Sequence, residues 1–238
     1  MNFIHLGACI GDWNMSFLKG IHSYSKCGFT EFIKKNSKDN DQIYLIEANP
    51  KNIPKLKESY KDYKNAEIIN MGISMTDNNN ISFYYTEDNA PDYMVSSLQI
   101  DHVKKYYPDS EIKEYKIKTI TINSLFKDYV KNSNIDYLSI DVEGLDFDIL
   151  MNINFQKYNI INISIEHLHL SKLQKRKMVN HLLKHGYSYC GFGYDRDNFD
   201  YLFKKKKIFL NRILSKFLWL VSKKHLHILN FFVSKKDF

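Results

Sequence analysis

Short apolar runs alternate along the chain with stretches of helical period. Runs at residues 2–6, 42–47, 67–71, 135–140 and 160–165 predict buried strands, because unbroken apolar runs bounded by turn residues suit strands covered on both faces. Between them the pattern predicts a helix from Asp12, one running to about Tyr63, and others over 124–131, 147–152 and 171–185. Pro50 and Pro54 suit a turn and the first turn of the helix that follows it. Residues 81–86 and 116–122 alternate like strands on either side of a polar stretch holding Pro91 and Pro108. Residues 187–194 and 199–204 predict a hairpin turning at 195–198. Strands alternating with helices predict an α/β fold. Its sheet is open and mixed, closed by the antiparallel hairpin, with a ligand at the carboxyl edge where polar residues decorate the strand ends.

Composition narrows this picture in three places. The 238 residues, 44% hydrophobic and 15% aromatic, suffice for one generous domain and argue against disorder. Three scattered cysteines, Cys9, Cys27 and Cys190, suggest neither a disulfide framework nor a zinc knuckle. Charge is unevenly placed. From Lys204 onward ten Lys and Arg face one acid, Asp237, so that segment carries +9 and leaves the rest of the +7 chain at −2. The expected organisation is a domain over 1–204 and a basic extension over 205–238, with no nucleic-acid partner for a nearly neutral body. No secretory leader or long apolar span is read in the sequence, so the expected setting is the cytoplasm.

Glycine is scarce, nine in all, so its positions carry information. The first strand runs into Gly7-Ala8-Cys9-Ile10-Gly11, a loop that lets backbone approach a ligand with a helix N-terminus behind it. The dinucleotide pattern G-x-G-x-x-G is absent, because Cys9 stands where its second glycine would be. About 36 residues after Gly11, Glu47 closes the second strand, where an acid accepts hydrogen bonds from both hydroxyls of a ribose. Alone, the loop could be a tight turn and Glu47 a solvated helix-capping acid. Together they favour a nucleoside ligand without a pyrophosphate, such as S-adenosylmethionine.

Five segments, in order from about residue 2 to residue 204, resemble the FkbM-type methyltransferases. Phe3-Ile4-His5-Leu6-Gly7-Ala8-Cys9-Ile10-Gly11-Asp12 is similar to the family's first motif, an acid followed by x-Gly-Ala-Asn-x-Gly. Tyr44-Leu45-Ile46-Glu47-Ala48-Asn49-Pro50 resembles its Glu-Pro-Asn-Pro segment, and Asn70-Met71-Gly72-Ile73-Ser74 occupies the place of its Asn-Ala-x-Ser segment. Lys118-Thr119-Ile120-Thr121-Ile122-Asn123-Ser124-Leu125 and then Ile135-Asp136-Tyr137-Leu138-Ser139-Ile140-Asp141-Val142-Glu143-Gly144 resemble its most distinctive stretch. The resemblance implies a class I, Rossmann-like methyltransferase fold, S-adenosylmethionine as cofactor, and O-methylation of sugars in glycans or of natural products. Carried over, His5, Gly7, Ala8 and Gly11 fall on the cofactor's methionine and ribose side, Glu47 on the ribose, Gly72 and Ile73 on the adenine side, and Asp141 on the rim facing substrate. The chain departs from the pattern at His5, Cys9, Asn123 and Ser139. His5 removes the negative charge that would help hold the cofactor's ammonium group.

Methyl transfer to an alcohol needs alignment and a proton acceptor. Asp141, Glu143, Glu166 and His167 stand at the ends of two adjacent strands, and His167 is the first choice of base because its ordinary pKa lies near neutrality. A hydrogen-bonded histidine at a strand end is the plainer account of it, and His169 could share its face. Asp141, Glu143, Asp146 and His167 could also hold Mg²⁺, although their spacing is diagnostic of no metal. The polar stretch with Tyr93, Ser96, Ser97 and His102 is expected to cross the mouth of the site, its aromatics stacking on a sugar. In the extension, Leu210, Ile213, Leu214, Phe217, Leu218 and Val221 recur at helical spacing, with Arg212, Lys216 and Lys223 on another face. Peripheral contact with an anionic membrane, dimerisation and packing on the domain all stay open for it. Two other functions also stay open, a nicotinamide-dependent sugar oxidoreductase and a non-catalytic methyltransferase-like binding protein.

Overall fold

Alternation along the first strand sorts its side chains onto two faces of a sheet. In the computed structural model, which describes residues 1–11, 27–90, 93–194, 198–205 and 219, β1 (Asn2–Leu6) sends Ile4 and Leu6 into one apolar layer and Phe3 into the other. Next, β2 (Gln42–Ile46) repeats this with Tyr44 and Ile46 against Ile43 and Leu45. The remaining strands are β3 (Ala66–Ile69), β4 (Gly72–Ile73), β5 (Asn78–Tyr85), β6 (Lys113–Ile120), β7 (Asn134–Ile140), β8 (Asn159–Glu166), β9 (Tyr187–Phe192) and β10 (Asp200–Lys205).

Seven of them form one sheet in the order β3-β2-β1-β7-β8-β10-β9. The first five are parallel, and β10 runs antiparallel to both β8 and β9. The chain moves outward from β1 to β3 and then returns to β7 on the other side of β1. That reversal opens a crevice at the carboxyl ends of β1 and β7, the place where open α/β sheets bind ligands. A second sheet, β4-β6-β5, stands beside it. The expected mixed sheet with its closing hairpin is therefore present.

Among the described residues, six helices accompany the strands: α1 (Gly28–Asn36), α2 (Ile53–Ser59), α3 (Ile100–Tyr106), α4 (Ile122–Leu125), α5 (Asp146–Met151) and α6 (Lys172–Lys184). A capping box starts α6, with Ser171 Oγ accepting from the Gln174 N–H and Gln174 Oε1 from the Ser171 N–H. Three departures from the sequence pattern have local causes. The run at 67–71 is split, because the chain leaves the main sheet after Ile69 and starts the second one at Gly72. The helix expected over 124–131 is α4 followed by a π-helical turn, Phe126–Val130, and it ends where Lys131 turns left-handed at φ 53°. Inside the polar stretch lies α3, with Asp101 in its first turn, Lys104 and Lys105 in its last, and His102 and Val103 buried. The helix expected from Asp12 lies outside the described residues. So does the extension, except for Lys205 at the end of β10 and Trp219, which is 2% exposed and joins the larger apolar layer. Among the described residues no helix is long and apolar enough to cross a membrane.

Candidate active site

The loop after β1 is shaped by two close approaches. Gly7 has φ +78°, and a Cβ built on it would stand 1.6 Å from the carbonyl oxygen of Asp141. Only glycine lets the ends of β1 and β7 come this near. The N–H groups of Gly7 and Ala8 both donate to the Ile46 carbonyl at 2.9 Å, which ties the loop to the end of β2. Cys9, also left-handed at φ +49°, donates its N–H to Glu47 Oε2 at 2.7 Å. Glu47 Oε1 accepts from the Asn49 N–H at 2.7 Å. The Glu47 carboxylate is thus clamped by backbone on both oxygens. Burial nevertheless pushes its pKa up to about 7, against those two bonds and the Asn52 amide.

A cavity opens in this crevice, lined by Gly7, Cys9, Glu47, Ala48, Gly72, Ile73, Tyr93, Asp141 and Glu143, with Met71, Phe83, Met94 and Leu98 as apolar wall. Of the expected cofactor residues, Gly7, Glu47, Gly72, Ile73 and Asp141 come together there. The other three do not line it. His5 points to the opposite face of β1 and stacks on Phe29 at 4.6 Å, where burial lowers its pKa to about 3 and keeps it neutral. Ala8 is buried in the same layer, and Gly11 packs against Tyr60, Ser59 and Leu56.

Glu143 is, with Cys9 and Tyr93, one of three left-handed non-glycine residues on the cavity wall. It is left-handed at φ +55°, an arrangement that costs on the order of 1–3 kcal/mol and needs support from its surroundings. Its carbonyl accepts from Ser97 Oγ at 2.7 Å, and its Oε2 lies 2.8 Å from His102 Nε2 and 3.4 Å from His169 Nε2. Burial works to raise the Glu143 pKa, but the bonds to His102 and His169 outweigh it and hold the carboxylate below its usual range. His169 in turn bonds Glu166 Oε1 at 3.0 Å and Tyr106 at 2.8 Å. Its two acidic partners, Glu143 and Glu166, raise its pKa to about 10. It is an imidazolium at neutral pH.

His167, the first choice of base, is not in this group. Its Nε2 is 3.1 Å from the Asn198 carbonyl, its ring stacks on Tyr201 at 3.7 Å, and burial lowers its pKa to about 4. Side chains along β8 alternate in direction, so Glu166 and His167 leave the strand end on opposite sides. The residues given too little weight by sequence are His102, His169, Glu166 and Tyr106. A signal for two of them existed: Ile100, Val103, Tyr106 and Tyr107 recur at helical spacing inside the polar stretch.

The model of the FkbM methyltransferase domain matches residues 5–189. The chain belongs to the FkbM methyltransferase family. The family's chemistry is methyl transfer from S-adenosylmethionine, and the cavity's donor set suits that cofactor. Glu47 offers a ribose diol a buried carboxylate, and the apolar wall offers a flat base a dry surface. This displaces the nicotinamide reading. No curated protein matches the chain in sequence. Among solved structures, the fibrillarin of Aeropyrum pernix, with natively bound S-adenosyl-L-methionine, is 12% identical at a TM-score of 0.42, over 85% of this chain and 64% of that one. The fibrillarin pre-rRNA processing protein of Methanococcus jannaschii is 13% identical at 0.43, over 87% and 67%. The precorrin-6y C5,15-methyltransferase of Geobacter metallireducens is 11% identical at 0.41, over 87% and 80%.

Proposed function

We propose that the protein is an O-methyltransferase acting on a hydroxyl group of a sugar, in a glycan, a nucleotide sugar or a related metabolite. The observation that carries this reading is the Glu143 carboxylate on the cavity wall. Both imidazoles take Oε2, which leaves Oε1 without a partner among the described residues. When bound, S-adenosylmethionine supplies a methyl carbon made electrophilic by its sulfonium. Glu47 and the Gly7 loop hold and orient the nucleoside end, while Asp141 and Glu143 form the rim towards the acceptor. The acceptor hydroxyl would become strongly acidic as its oxygen took up the methyl group, so the chain's part would be to receive that proton. An ionised carboxylate in reach then suffices as base even with a lowered pKa. His102 and the His169 imidazolium keep Glu143 in that ionised form. Tyr93 on the wall offers a ring for a sugar face.

The test incubates the protein with S-adenosylmethionine and a panel of nucleotide sugars and oligosaccharides, with mass spectrometry of the products. A mass gain of one methylene on a sugar oxygen is expected. Methylation confined to nitrogen or carbon acceptors would sink the reading. Glu143→Gln should lower kcat by roughly 10²–10⁴-fold and leave S-adenosylhomocysteine affinity close to that of the parent.

A further inference from the structure

Beside the cavity, three carboxylates from three elements converge. Asp141 follows β7, Asp146 opens α5 and Glu166 ends β8, and one oxygen of each lies within 4.8 Å of the others. Asp146 is fixed in place, with Oδ1 accepting from the Val142 N–H at 2.8 Å and Oδ2 from the Gly144 N–H at 3.2 Å. Glu166 is 7% exposed. Its Oε1 takes His169, and its Oε2 is fully buried with no hydrogen-bond partner among the described residues. The charges that bear most on Asp141 are all carboxylates, from Glu166, Glu143, Asp200 and Asp146. A fully buried carboxylate oxygen such as Glu166 Oε2 rarely stands without a hydrogen-bond partner. The adjoining group of His102, Glu143 and His169 differs, because two imidazoles already face Glu143 Oε2.

We propose that Asp141, Asp146 and Glu166 bind a hard divalent cation such as Mg²⁺, Mn²⁺ or Ca²⁺. An all-oxygen donor set selects that class over zinc or copper. The span fits: opposite oxygens on Ca²⁺ lie about 4.6–5.2 Å apart and on Mg²⁺ about 4.0–4.2 Å, so a small contraction seats the smaller ion. Three protein oxygens leave coordination positions open, and Asp141 also lines the cavity. The open positions take the acceptor's hydroxyl oxygens, which favours a vicinal diol and lowers the pKa of the oxygen to be methylated. That role rests on the O-methyl transfer reading. The binding of the ion does not.

The test uses the full chain, stripped with EDTA and dialysed, titrated with MnCl₂ while the paramagnetic resonance of free Mn²⁺ is recorded. One Mn²⁺ per chain is expected, displaced by excess MgCl₂. Glu166→Gln and Asp141→Asn should each weaken binding at least about tenfold, and the surface control Glu58→Gln should not. A free-Mn²⁺ signal unchanged by the unsubstituted protein would overturn the proposal, leaving carboxylates that share protons instead. Binding that survives both substitutions would overturn it equally. Titration with S-adenosylhomocysteine in EDTA reports the cofactor site alone. Intact cofactor binding with no Mn²⁺ binding removes the ion and leaves methyl transfer standing, and the opposite pattern does the reverse.

Discussion

Burial and hydrogen bonding pull Glu47 in opposite directions, and burial prevails, setting its pKa at about 7. An acid whose folded pKa exceeds its ordinary value of 4.5 keeps a proton that the unfolded chain has released. The contribution of Glu47 to the stability of the ligand-free protein therefore falls as pH rises from about 4.5 to about 7, by up to about 1.4 kcal/mol per unit. A ribose that donates to Glu47 needs the ionised form, so cofactor binding near neutrality expels the proton. Calorimetry with S-adenosylhomocysteine at about pH 6.5, in two buffers of different ionisation enthalpy, should show proton release that fades by about pH 8.5. Identical heats in both buffers at the lower pH would take Glu47 out of the ribose role. Glu47→Gln should weaken binding by about 1.5–3 kcal/mol, the range for a hydrogen bond to a charged group. A second test bears on His167, the base that the sequence put first. His167→Asn should leave kcat near that of the parent, since His167 is occupied by the Asn198 carbonyl and Tyr201. A collapse of kcat in a folded His167→Asn protein would return the base to His167.

How the strand ends and loops meet decides what the sequence could reveal. The five parallel strands were legible because burial on both faces makes their central positions mostly apolar, and the glycine loop and Glu47 because they sit at fixed offsets from those strands. Two things were not. Side-chain direction at a strand end depends on one residue of register, which is why Glu166 and His167 exchanged importance. And α3, only seven residues long, is held by Val103 and by the bond from His102 to Glu143, a partner 41 positions away. Local propensity carries no trace of such a contact. Gly7 tests the apposition of β1 and β7 directly. Gly7→Ala places a methyl group against the Asp141 carbonyl at a left-handed φ. The backbone strain alone costs on the order of 1–3 kcal/mol, and the clash adds to it. Thermal unfolding should show a large drop in Tm. A Gly7→Ala protein as stable as the parent would mean that the two strand ends stand further apart than described.

The extension ties electrostatics, packing and location together, and Trp219 is the residue through which it can be questioned. The +9 charge from Lys204 onward offers an anionic membrane about 1 kcal/mol per basic residue near its surface. A segment held only by that attraction would leave its aromatic residues dispensable for folding. Trp219 is instead 2% exposed in the larger apolar layer. Replacing a buried tryptophan with alanine costs about 3–5 kcal/mol. For a chain of this size that is a Tm lower by about 6–20 °C. Trp219→Ala should show that loss with no lipid present, and truncation after Lys205 should match or exceed it. Packing of Trp219 does not forbid a second role for the lysines, so vesicle sedimentation with anionic and neutral lipids belongs beside the melting curve. Binding to anionic vesicles that disappears at high salt, in a protein already destabilised by Trp219→Ala, would make the extension both a brace and a contact. An unchanged Tm would instead separate Trp219 from the core and leave the membrane or a second copy of the chain as the partner of its apolar side chains.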